Sequence, residues 1–182
     1  TRSVELAECL ILETGCAFFA GNSPYLPIVE LLRRYFKTDP LDSVDSNRWR
    51  VHSRLVALGG LPDGAEQAFL ALLDLSPANG DWDRLEPPRR REAIESAFVN
   101  LILRLAMQTP VVFVVEDLHW VDQETHALLL RLATRIAEAR VLLLVDYRPE
   151  HDLRWQPEGA CVRLGIEPLS HDAMVELADQ MI

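Results

Sequence analysis

The chain has 182 residues, 49% of them hydrophobic and 25% charged, which suits one globular domain with a sizeable core. A net charge of −10 argues against nucleic-acid binding through phosphate neutralisation. No apolar run reaches the roughly 18 residues of a membrane span and no basic, apolar leader opens the sequence, while three cysteines without metal spacing add the expectation of reduced thiols in a cytoplasmic protein.

Residues 3–13 have apolar Val4, Leu6, Ala7, Leu10 and Ile11 at helical spacing, and Gly15 is a plausible stop. Cys16–Ala20 is a short strand candidate, broken by Gly21-Asn22-Ser23-Pro24. From Pro27 to about Asp74 the pattern is helical and interrupted. Its stripes are Ile28, Leu31, Leu32, Tyr35 and Phe36, then Val44, Val51, Leu55 and Leu58, then Ala68, Phe69, Leu72 and Leu73. A loop over 76–88 follows, and Pro88 can sit in the first turn of the next helix. That helix carries Ile94, Ala97, Phe98, Leu101, Ile102 and Leu105 on one face and should end near Thr109-Pro110.

Val111–Val115 is a continuous apolar run, as expected of a strand covered on both faces. Asp122 can cap a helix with Leu128, Leu129, Leu132 and Ile136 on its apolar face, and Val141–Val145 reads as a second buried strand. Strand, helix and strand at this spacing predict a parallel βαβ unit. A short strand over Cys161–Gly165 and a helix from about His171 complete the reading.

Ligands of an open parallel sheet sit beyond the carboxyl ends of its strands, where Glu116 and Asp117 follow Val115. One carboxylate there can hold Mg²⁺, and a second can orient or deprotonate an attacking water. The same pair also fits a capping or loop role after a buried strand. Arg148, after the second strand, can approach a nucleotide phosphate or pair with Glu116 or Asp117. His119 can shuttle a proton or pack the loop together with Trp120. Tyr25 and Pro27 read as packing or as a contact to a base.

Other chemistries lack their residues. Cys9, Cys16 and Cys161 form no C-x-x-C pair, as expected of reduced thiols, and the five histidines have no zinc-ligand spacing. No G-x-S-x-G elbow is present. A phosphate-gripping loop, G-x-x-x-x-G-K-[ST], is also missing, and the sole lysine, Lys37, has no glycine before it. Thr1 can be the last residue of such a loop, with 3–13 the helix that follows. The expectation is an N-terminally incomplete module that is inactive by itself.

The run Val111 to Asp122, with Glu116-Asp117-Leu118-His119-Trp120 at its centre and Thr125 after it, resembles the Walker B region of STAND-type ATPases related to AAA+ proteins. Arg140 to Glu150 resembles that family's sensor strand, with Asp146 where Thr or Asn is more usual. Ser23 to Pro27, Trp82 to Pro87, Arg89-Arg90-Arg91 and Glu167 to Ser170 resemble further family segments. The resemblance implies a three-layer α/β P-loop NTPase fold in one domain over 1–182. A helical insertion would fill about 27–108, and the Walker B and sensor core about 110–150. It implies ATP and Mg²⁺ as ligands, with Glu116 as the metal-site acid, Asp117 as the water-orienting acid and Arg148 as the phosphate sensor. Among subfamilies it looks most like the ATPase region of bacterial regulators fused to class III adenylate/guanylate cyclases, with LuxR-type activators as an alternative. Expected partners are other domains of the same polypeptide, a cyclase and helical repeats, and further copies of the chain. A non-catalytic scaffold is the competing reading.

Overall fold

The computed structural model describes residues 9–16, 23–76, 81–148, 150 and 161–167. Three parallel strands lie in the order β1 (Leu10–Gly15), β2 (Val111–Glu116) and β3 (Val141–Val145). Helices α1 (Leu26–Phe36), α2 (Val44–Ala57), α3 (Ala65–Leu72) and α4 (Pro87–Gln108) connect β1 to β2, and α5 (Gln123–Arg135) connects β2 to β3. The class is α/β, a parallel sheet flanked by helices, as the strand and helix spacing predicts.

The helices begin and end where side chains replace missing backbone partners. Pro27 takes the first turn of α1, and Lys37 ends it in the left-handed region at φ 57°, donating its N–H to Arg33 and Arg34. The sole lysine is thus a helix terminus. Ser43 caps α2 by accepting the Ser46 N–H. Pro87 and Pro88 open α4, which runs to Gln108 as expected. Asp122 caps α5 by accepting the Thr125 N–H at 2.8 Å.

One face of the sheet carries the core. Leu12, Val111, Phe113 and Val115 are buried there, and Phe113 meets Phe98 of α4 with ring centroids 5.9 Å apart. Burying each large side chain contributes about 2 kcal/mol, so this face organises the molecule.

Three expectations fail. The spacing over 3–13 predicts a helix, but residues 10–13 lie in β1, which pairs with β2 from Leu10–Val111 to Gly15–Glu116. Leu6 with Leu10 and Ala7 with Ile11 imitate a helical stripe, yet Leu12 and Thr14 point in while Ile11 and Glu13 point out. The ladder against β2 overrides the local spacing. Of the strand candidate Cys16–Ala20 only Cys16 lies among the described residues, and it stands outside any strand, just past the end of β1. Its other residues, and the proposed helices before residue 9 and after His171, lie outside the described residues.

Among the described residues the strands are also packed on one face only. Val112 and Val114 are half-buried, while Ile11, Leu142 and Leu144 are 62%, 58% and 52% exposed. A continuous apolar run cannot say which of its two faces is packed. Last, residues 161–167 enter no sheet and are exposed. Arg163 instead lies over the Tyr147 ring at 5.8 Å.

Candidate functional site at the carboxyl edge of the sheet

Glu116 is the last residue of β2 and is exposed. Its carbonyl accepts the Cys16 N–H at 2.9 Å, so the ends of β1 and β2 stay in register. Gly15 is its cross-strand partner, and a Cβ there would sit 3.9 Å from the Glu116 Cβ. The flank of the carboxylate is therefore narrow but open.

Asp117 leaves the strand through the left-handed region, φ 54° and ψ 40°. Aspartate tolerates this conformation better than most residues, but something has to hold it. Asp146, directly after β3, does so. Its Oδ1 accepts the Asp117 N–H at 3.1 Å, its carbonyl accepts the Leu118 N–H at 2.9 Å, and its own N–H reaches the Val115 carbonyl at 3.2 Å. A short 3₁₀ turn over Leu118–Trp120 follows, with Leu118 fully buried beneath it. The Asp117 side chain is left 57% exposed.

His119 is packed. Its side chain is 1% exposed, Nε2 lies 3.8 Å from Asp117 Oδ1, and the ring sits 4.7 Å from that of Trp120. Of the two roles open to it, geometry favours supporting the loop. Tyr25 and Pro27 are buried as well. Burial, then the charge of Glu95, pushes the Tyr25 phenol up to about 12.

Cys16 reports the local field. Its thiol is pushed up to about 12 by burial first, then by Asp122, Asp117 and Asp146. Burial is the larger cause, and the three aspartates that add to it make this edge acidic. Among the described residues no group of three or more His, Cys, Asp or Glu side chains is arranged as a metal cage. Mg²⁺ rarely uses one: it keeps waters and takes one or two carboxylates together with substrate phosphates. Two adjacent, solvent-facing carboxylates fit that mode.

Arg148 is exposed, three residues past the end of β3 and so on the same edge. No ion pair joins it to Glu116 or Asp117 among the described residues. Thr1 lies outside the described residues. Two contacts at this edge, Asp146 to Asp117 and Asp122 to Tyr25, have no local signal in the sequence. The sequence marks Asp146 only as an unusual residue after its strand, and Asp122 only as a helix cap.

The family model for the AAA ATPase domain matches residues 2–145. The uncharacterized protein R02095 of Rhizobium meliloti (strain 1021) is 32% identical over 87 residues, a stretch covering 48% of this chain and 8% of that protein. No solved structure matches the chain with significance. An α/β sheet with an acid pair at its carboxyl edge and a family match over most of the sequence lead to one conclusion: the chain belongs to the AAA ATPase domain family.

Proposed function

We propose that this domain is the ATP-dependent switch of a STAND-type bacterial signalling protein, with Glu116 and Asp117 as its metal- and water-directing acids. The observation that carries the reading is the adjacent pair at the end of β2, its backbone fixed by Asp146 and its side chains open to solvent. Membership of the AAA ATPase domain family supports nucleotide as the ligand.

In this reading Glu116 would hold Mg²⁺, directly or through water. Asp117 accepts a hydrogen bond from the attacking water and takes its proton as the water oxygen bonds to the γ-phosphorus and the bond to ADP breaks. Mg²⁺, when bound, would neutralise the phosphate oxygens. Arg148 contacts the phosphate and reports whether it is present. ATP binding favours an assembled, active state, and hydrolysis resets it. The resemblance to cyclase-fused regulators makes a cyclase output the first choice, ahead of a LuxR-type output. Residues 27–108 then form a helical insertion in one domain whose core is 110–150.

The 182 residues hold no G-x-x-x-x-G-K-[ST] run, so the phosphate-gripping contacts have to come from residues other than these. That same observation favours the scaffold reading as the alternative. The complete natural polypeptide should hydrolyse ATP only with Mg²⁺, and the 182 residues alone should give no binding heat in calorimetry. Tight, specific Mg·ATP binding by the 182 residues would sink the division of the site. A complete polypeptide that neither binds nor hydrolyses ATP would leave the scaffold reading in its place.

A further inference from the structure

Asp122 makes more bonds than a helix cap requires. Its Oδ1 accepts the Thr125 N–H at 2.8 Å, and its Oδ2 accepts the Thr125 hydroxyl at 2.6 Å. Those two bonds cap α5. Oδ1 also accepts the backbone N–H of Tyr25 at 3.3 Å, across 97 residues of sequence.

Tyr25 is the residue before α1 and stands in the left-handed region, φ 62° and ψ 15°, with no side-chain cap of its own. A bulky residue keeps that conformation only when its surroundings hold it. The Tyr25 carbonyl accepts the Val29 N–H at 2.9 Å and so starts the helix. Two residues on, the Pro27 carbonyl accepts the buried Thr14 hydroxyl of β1 at 2.7 Å. On the other side Cys16, just past β1, donates its N–H to Glu116.

These contacts form a closed circuit. It runs from Thr14 to Pro27, back to Tyr25, across to Asp122, along the loop to Glu116, and through Cys16 to β1. Asp146 pins the start of the acid-bearing loop, and Asp122 pins its end. We infer that Asp122 is a positioning residue that locks the Tyr25 turn to the Glu116-Asp117 loop, so that the two loops at the acid edge move as one. The coupling stands on these hydrogen bonds; its effect on hydrolysis rests on the ATPase reading.

Serine separates capping from coupling, because it caps a helix well but has one short side-chain oxygen in place of two. Amide hydrogen exchange on Asp122→Ser should show the Tyr25 amide exchanging about tenfold faster while the Thr125 amide stays protected. Asp122→Asn keeps both the acceptor oxygen and the reach, and should restore the Tyr25 amide. Thr125→Val, which removes only the hydroxyl, should leave Tyr25 as in the wild type. In the complete polypeptide, Asp122→Ser should lower kcat about tenfold with KM nearly unchanged, and Asp122→Asn should recover most of it.

An unaltered Tyr25 amide in Asp122→Ser would overturn the coupling and leave Asp122 a cap only. Equal loss in the Ser and Asn variants would overturn it too. A wild-type polypeptide without ATPase activity would instead remove the ATPase reading, and the exchange data would still decide the coupling.

Discussion

Asp146 shows how one residue at this edge acts through its backbone neighbours. Truncating it in Asp146→Ala leaves the Asp117 N–H, in a left-handed residue, without its acceptor. The loss should be about 0.5–1.5 kcal/mol, at the low end because water reaches the group, and Asp146→Asn should recover it in urea unfolding. Cys16 gives a pH test. Its thiol is raised from 9.0 to about 12, so the unfolded chain releases this proton first as pH rises. The contribution of Cys16 is therefore complete below about 9.0 and is lost as pH climbs towards 12. Cys16→Ala should flatten that part of the stability profile. At pH 8 a thiol reagent should label exposed Cys161 quickly and buried Cys16 slowly. Equal rates would contradict the burial and the negative field together. These residue roles were hard to read in the sequence because the partners lie far apart along it. Asp146 and Asp117 are 29 residues apart, and Tyr25 and Asp122 are 97 apart.

At the scale of elements, α4, β2, α5 and β3 were legible because each has one dominant signal. Pro88 opens α4, Asp122 caps α5, and two apolar runs of strand length mark β2 and β3. β1 was not legible. Leu10-Ile11-Leu12 suits a helix or a strand, and only pairing with β2 decides it. β2 ends at Glu116, one residue past its apolar run, so Glu116 and Asp117 lie at the sheet edge. The exposure of Leu142 and Leu144 was not foreseen, since an apolar run carries no record of which face is packed. The packing of α4 on the sheet sets a clear expectation. Phe98 is fully buried against Phe113, so Phe98→Ala should destabilise the fold by about 3–5 kcal/mol in denaturant unfolding. Ser43→Ala removes only the cap of α2 and should cost about 1 kcal/mol.

For the whole molecule, the buried helices and the exposed acids divide the work. One face of the sheet packs on α4 and its neighbours and holds the strands in register, while the carboxyl edge gathers Glu116, Asp117, Asp122 and Asp146. No described helix is long and apolar enough to cross a membrane. The negative edge suits a metal–phosphate ligand and repels a bare phosphate, so nucleotide binding should depend on Mg²⁺ and fail with a chelator present. The most direct measurement is single-turnover ATP hydrolysis by the complete natural polypeptide, wild type against Asp117→Asn, with nucleotide binding measured alongside. Asp117→Asn should retain Mg·ATP binding and hydrolyse ATP about a hundredfold more slowly or worse. A hydrolysis rate unchanged by Asp117→Asn would contradict Asp117 as the water-directing acid.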